Sequence, residues 1–435
     1  MIQKLLQWLQ TSPRVSIPKG YKLLVFGGSI ALSWWLIYSL WFSAPILLGL
    51  MAPLSGDFAV LAGKEMVTGA ELAVAQANQA GGVLVGDRRY GVRLLIADDE
   101  NKPEAMLRAA DQLRNTGVQA LITSPQSSLN SLLVAALEIK SFPIPLITSA
   151  TDPMITFQSS NQASDQVKNI INIGLDQELQ GAALAHFAHQ TLQAKNAAIL
   201  YNSDNSSNLV TAFQQTFQAL GGRVVTKATY QTNTVNPSLS KANINKLQSN
   251  SRNNSQNNFQ DTRQDFLDRL QRINQQQPDV LLLPNPLPDL ISQGLALQKL
   301  AIEFPLIGGD SWAGIISANL PLLEGGFFLS PWHPRLPTPE NQKFIADYTR
   351  AYRQAPRSNA ALTYDAVQMI LGAIATQREL SPEAIGQGIQ ESSPFFGTTG
   401  TILYPSFQGR SMVINQVKNG EAEFYQQLAP VPKLP

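Results

Sequence analysis

Between Ile46 and Gly309 short apolar runs alternate with longer stretches of helical spacing, and this alternation narrows the choice of fold more than any other feature. The runs are "ILLGLMA" (46–52), "YGVRLLIA" (90–97), "VQALIT" (118–123), "IPLIT" (144–148), "AAILY" (197–201), "RVVTKATY" (223–230), "DVLLLP" (279–284) and "FPLIGG" (304–309). Helical spacing fills the intervals near 62–79, 103–115, 128–140, 176–194, 206–220, 262–275 and 288–301. Strands separated by helices of this length form βαβ units and mostly parallel sheets. Two such sets, about 46–172 and 173–329, predict an α/β protein with two doubly wound lobes in tandem. "HPRLPTPEN" (333–341) reads as a turn between lobes.

A different pattern precedes the first run. From Leu23 to Phe42 there are 20 residues without a charge. At ~1.5 Å per residue they match the ~30 Å of bilayer hydrocarbon. Lys4, Arg14, Lys19 and Lys22 lie before this stretch, and no acid occurs before Asp57. The positive-inside rule therefore leaves residues 1–22 in the cytoplasm, with residues 23–43 as a single-pass anchor in the inner (plasma) membrane and the body outside it. A cleaved signal peptide fits less well: the apolar stretch is long, and cleavage after Ala44 would place Phe42 where a small residue is needed. "MIQKLLQWLQ" reads as a short amphipathic helix on the inner leaflet.

Composition excludes several function classes. Net charge is +1, from 32 basic and 31 acidic residues, which argues against a nucleic-acid partner. No cysteine is present, so no disulfide framework, thiolate metal site or thiol nucleophile exists. Three histidines, His186, His189 and His333, leave little material for a transition-metal site. No phosphate-binding loop, G-x-S-x-G or H-E-x-x-H occurs, and no cofactor is implied. The segment 231–260, rich in Asn, Gln and Ser, cannot bury enough apolar surface to offset its ordering entropy and reads as a solvated insertion. Asp98, Asp99 and Glu100 are expected to cap the helix that follows them. Tyr364 and Asp365, in the apolar helix "TYDAVQMILGAIA", are expected to pack and cap.

The candidate site residues stand at the ends of strands. "PLITSATDPMIT" (145–156) runs from an apolar strand into Ser149, Ala150 and Thr151, then into Asp152 and Pro153, which suit the first positions of a helix. "ALITSPQSSLNS" repeats the plan, with Ser127 or Ser128 near a cap. N-capping accounts for either stretch alone. Together, hydroxyls and helix-start N–H groups at two strand ends make an anion pocket suited to a carboxylate. A third strand end, "FPLIGGDSWAG" (304–314), carries Asp310 after two glycines that permit close backbone approach. A carboxylate there can hold an ammonium, although turn formation also explains an isolated Asp.

"GLMAPLSGDFAVLAGKEMVTGAELAVAQANQAGGV", "PLITSATDPMIT", "INIGLDQELQGAALAHF" and "SNAALTYDAVQMI" together resemble the type I periplasmic substrate-binding proteins of ABC transporters, within the leucine/isoleucine/valine-binding group. The resemblance spans about Ile46 to Gly420, apart from 231–260. It implies two Rossmann-like lobes joined by three crossovers, near 172–174, 329–332 and 400–404. Lobe I would be 46–172 plus 331–400, and lobe II 173–330 plus 401–430. It also implies that hydroxyls and backbone of lobe I hold a ligand α-carboxylate, and these fall on Ser128 (Ser127 if the match slips by one), Ser149, Ala150 and Thr151. The family acid that receives the α-ammonium falls on Asp310. Family aromatic positions fall on Ser206 or Ser207, near Pro286 and Leu287, and near Leu61, so the implied ligand widens to an amino acid or a similar small amide or zwitterion. The resemblance thus implies a binding protein rather than an enzyme, with an ABC permease as partner. Its rivals are a sensory ectodomain of the same fold and a small-amide hydrolase using Ser311 or another serine.

Overall fold

The computed structural model describes residues 44–55, 62–123, 144–149, 170–204, 206–231, 255–317, 320–403 and 410–430. The anchor segment expected at 23–43 and the helix expected at 128–140 lie outside these residues. Among the described residues no helix is long and apolar enough to cross a membrane.

The first sheet contains β1 (Ile46–Ala52), β4 (Val92–Asp98), β5 (Ala120–Ile122), β6 (Leu146–Thr148) and β7 (Ile170–Asn172). All of its pairings are parallel, in the order β4-β1-β5-β6-β7. A separate hairpin, β2 (Val83–Val85) and β3 (Arg88–Tyr90), precedes β4. The second sheet contains β8 (Asn196–Asn202), β9 (Arg223–Tyr230), β10 (Val280–Leu282), β11 (Leu306–Gly308), β12 (Phe327–Ser330), β15 (Met412–Lys418) and β16 (Glu421–Leu428). Its order is β16-β15-β12-β11-β10-β8-β9, parallel from β9 to β12 and antiparallel beyond. A small hairpin, β13 (Phe395–Gly397) and β14 (Gly400–Ile402), completes the strands described. Counted in chain order, the parallel strands of both sheets run 2-1-3-4-5, so each lobe is a doubly wound unit that offers a ligand crevice at its carboxyl edge.

Alternation along the strands explains how each sheet is covered. In β1, Leu48, Leu50 and Ala52 join one buried cluster with the helices Lys64–Gln79 and Ser358–Thr376, while Met51 joins another with the helix Pro103–Asn115. The two helices of the first face cross so closely that a Cβ on Gly69 would lie 2.2 Å from the Ala360 carbonyl oxygen. The second sheet is likewise packed on both faces, around Phe213 and Phe217 on one and Phe266 and Trp312 on the other.

The chain passes between the sheets three times: after β7 into the helix Gln177–His186, after β12 into the helix Pro339–Tyr352, and from β14 to β15. The stretch 333–341 that read as an interlobe turn lies on the second passage. There Asn341, fully buried, accepts from the Trp332 indole at 2.7 Å and donates to the carbonyls of Pro334 and Leu336.

Two expectations need correction. The helix Ser255–Gln275 begins inside the stretch 231–260 assigned to a solvated insertion. Its apolar residues Phe266, Leu267, Leu270 and Ile273 are buried in the second lobe and anchor the preceding polar turn. Nor does the acidic cluster 98–100 cap the helix Pro103–Asn115, whose cap position is Lys102 with no side-chain cap bond. Asp98 instead accepts the N–H groups of Leu54 and Glu100, and Asp99 accepts that of Asn101, so both carboxylates shape the loops around them.

Candidate functional site

The two hydroxyl-bearing strand ends are neighbours. β5 and β6 pair in parallel with Leu121 opposite Leu146 and Ile122 opposite Ile147, so the identical tetrapeptides Leu121–Ser124 and Leu146–Ser149 begin side by side. Thr123 donates its N–H to Ile147 at 3.0 Å, and both Thr123 and Thr148 are sealed at 1% exposure. One step further, Ser149 is only half-buried. The polar character of this edge therefore starts in a closed layer and reaches partial exposure at Ser149. Ser127, Ser128, Ala150 and Thr151 lie outside the described residues.

On the second sheet β11 ends at Gly308, and each of the two glycines answers a specific neighbour. A Cβ on Gly308 would stand 1.9 Å from the indole nitrogen of Trp312, which is fully buried and donates to the Leu283 carbonyl at 2.9 Å. A Cβ on Gly309 would stand 2.6 Å from Oε1 of Gln180. Asp310 then opens a single 3-10 turn, half-buried at the sheet edge, and its N–H donates to Gln180 Oε1 at 3.0 Å. Desolvation pushes the Asp310 carboxyl up to about 6, against the downward pull of Gln180 and of the Ser311 and Asp310 N–H groups. No charged side chain among the described residues contributes to that shift. An ammonium brought to this carboxyl would therefore meet a negative group with no cation of its own.

Sequence reasoning did not find Gln180. It is 1% exposed on the helix Gln177–His186, and its amide donates to the Leu175 carbonyl at 2.9 Å while accepting from Asp310. The only signal in the sequence is an amide beside Gly181, where the chain otherwise turns to "AALAHFA".

The family aromatic positions are filled differently here. Ser206 is buried and donates to the Pro284 carbonyl, so its hydroxyl is already used. Ser207 is exposed and donates to Ser203. Pro286 and Leu287 are half-buried, and Leu61 lies outside the described residues. Beside them the ends of β8, β9 and β10 are closed by a polar network. Tyr230 donates to Asp289 at 2.9 Å, Asn202 donates to Asp289 at 3.2 Å, and Gln293 donates to Tyr230 at 3.0 Å. Asn285 donates to Gln293 and accepts the Asn202 N–H. Burial raises the pKa of both Tyr230 and Asp289 and favours their neutral forms.

The three passages between sheets meet at Arg410, which is 3% exposed. Its guanidinium donates to the Ile173 carbonyl on the first passage and to the Pro331 carbonyl on the second, the latter at 3.2 Å, while Arg410 itself lies on the third. Asp365, 1% exposed, lends its charge to Arg410. It also accepts the Thr398 and Thr399 N–H groups at 2.8 Å and the Thr399 hydroxyl at 2.7 Å. Asp365 thus holds the β13–β14 turn, a tertiary role beyond the packing and capping expected of it. His333 bonds Ala422 and Arg335, while His186 and His189 are half-buried on and just after the helix Gln177–His186.

The family model described as periplasmic binding protein matches residues 45–250 and 253–410, and the chain belongs to that family. Among solved structures it is similar to a leucine-binding protein from Thermotoga maritima, at 22% identity and a TM-score of 0.66, covering 88% of this chain and 99% of that one. A branched-chain amino acid transporter substrate-binding protein from Streptococcus pneumoniae, in complex with isoleucine, is 18% identical with a TM-score of 0.64, covering 89% of this chain and 100% of that one. A solute-binding protein of an ABC transporter from Rhodopseudomonas palustris, in complex with benzoate, is 19% identical with a TM-score of 0.60, covering 89% and 97%. No curated protein matches the chain. The family and these neighbours establish a type I periplasmic-binding-protein fold of two lobes.

Proposed function

We propose that the chain is a membrane-anchored, extracytoplasmic solute-binding protein of an ABC transporter, taking an amino acid or similar zwitterion between its lobes and passing it to a permease. In this reading the lobes are 46–172 plus 331–400 and 173–330 plus 401–430, residues 23–43 are the anchor and residues 1–22 are cytoplasmic. Ser127 or Ser128, Ser149, Ala150 and Thr151 hold the carboxylate, and Asp310 receives the ammonium. Closing the lobes brings the two halves of the clamp onto one ligand. Anchoring raises the effective concentration of receptor beside its permease.

The observation that carries the ligand class is Asp310, a desolvated carboxyl at a strand end to which no charged side chain among the described residues contributes. Isoleucine and benzoate, bound by two of the neighbours, share a carboxylate but only isoleucine carries an ammonium. A lone acid on the second lobe favours the zwitterion, because it would repel an aromatic carboxylate seated nearby. Calorimetry on the full chain in detergent, with the twenty amino acids and benzoate, tests this. Heat from at least one amino acid and none from benzoate is expected. Benzoate binding with silence from every amino acid would remove the role given to Asp310.

A further inference from the structure

We propose that Gln180 is the positioning residue for Asp310 and that it ties this acid to the first passage between the lobes. The proposal rests on reading Asp310 as the receiver of the ligand ammonium. Both ends of the Gln180 amide are engaged: Oε1 accepts the Asp310 N–H at 3.0 Å, and Nε2 donates to Leu175 at 2.9 Å. Leu175 stands two residues beyond Ile173, whose carbonyl Arg410 grips. One buried side chain therefore joins the strand end that presents the acid to the segment where the chain changes lobes.

Packing alone does not call for an amide here. The helix Gln177–His186 buries Leu179, Ala182, Ala183, Leu184 and Ala185 around it, and Gly181 fits against the Leu209 carbonyl. Methionine fills a similar volume at such a position without polar demands. Only a side chain with an acceptor and a donor in this spacing satisfies both the Asp310 N–H and the Leu175 carbonyl. The absence of a Cβ at Gly309 leaves the acceptor its place. Among the described residues, Gln180 and Leu209 stand nearest the place of a Gly309 Cβ, and Gln180 and the Ser311 N–H act on the Asp310 carboxyl; none of these titrates. Gln180 is thus the largest influence holding Asp310 ionised against desolvation.

The test compares the wild-type full chain in detergent with Gln180→Met and Gln180→Glu. In the ligand-free protein, carboxyl carbon NMR follows the titration of Asp310. Gln180→Met is expected to move the midpoint up, because the neutral amide beside the carboxyl favours its charged form and a thioether does not. Gln180→Glu keeps the side-chain length but sets a like charge beside Asp310, so a larger upward move is expected, and this variant decides the matter if Gln180→Met does not fold. Calorimetry with L-isoleucine at pH 7.5 is expected to show about three- to tenfold weaker binding by Gln180→Met. An unmoved Asp310 midpoint in the folded variant overturns the proposal. So does weaker isoleucine binding whose acidic limb stays where the wild type has it. If isoleucine gives no heat with the wild type, that counts against isoleucine as the ligand, and the ligand-free titration alone decides the role of Gln180.

Discussion

Two acids in this molecule share an electrostatic setting and differ in what meets them. Asp365, on the helix Ser358–Thr376, and Asp310, at the end of β11, are both pushed up to about 6 by desolvation. Asp365 is answered from within: two N–H groups, a hydroxyl and the Arg410 charge surround it. Among the described residues Asp310 receives only neutral donors, and it remains half-buried at an edge. Burial therefore does not by itself mark a functional acid. What distinguishes Asp310 is the lack of a counter-charge among the described residues, the feature on which its proposed ligand role rests.

The widest separation between the two acids should appear in stability. Asp365→Ala leaves the buried Thr398 and Thr399 N–H groups without their acceptor and removes a charge that favours Arg410, and should cost about 3 kcal/mol or more, read by urea unfolding. A loss below about 1 kcal/mol, the range of an exposed pair, would erase the distinction. Asp310→Asn should not destabilise the fold, and should stabilise it at neutral pH by removing a desolvated charge, while weakening amino-acid binding at least about tenfold, the size of a hydrogen bond to a charged group. Equal effects of the two substitutions on stability would show that Asp310 is structural.

The pH dependence sharpens the contrast further. In the proposed site ammonium binding needs ionised Asp310, so affinity should reach a plateau above about 6 and fall roughly tenfold per pH unit below it. Folding runs the other way. Each acid titrates higher in the native chain than its ordinary 3.8, so the native state binds the extra proton. Their contribution to stability is complete below about 4 and is lost as pH rises through about 6. Calorimetry and unfolding across pH 4–8 should therefore give slopes of opposite sign. The smallest effect belongs to Ser149→Ala, about three- to tenfold in affinity, the worth of one net hydrogen bond.

The parallel strands were readable because burial on both faces makes them continuous apolar runs. β1 begins and ends where its run does and the helix Pro103–Asn115 matches its predicted span; β9 also matches its run, although as an edge strand it buries no residue fully. The antiparallel additions were not read. β16 alternates between half-buried and exposed residues, and its turn is Asn419-Gly420, both at positive φ, a hairpin signal that lies beyond the βαβ pattern. The two sheets also repeat one strand order although no sequence repeat is visible, because strand order is set by the sequence of crossings and apolar residues are interchangeable within it. Of the candidate site, the strand-end placement of Ser149 and Asp310 was legible from local turn chemistry. Gln180 and Arg410 were not, since their partners lie 130 and 237 residues away and nothing local announces them.

Arg410 bonds two of the three connecting segments and lies on the third, so it couples them. A rotation of one sheet against the other about an axis through the guanidinium can leave its bonds to Ile173 and Pro331 intact, whereas a sideways slip must stretch both together. One side chain thus links all three connections, and any swing of one half against the other has to carry its bonds along.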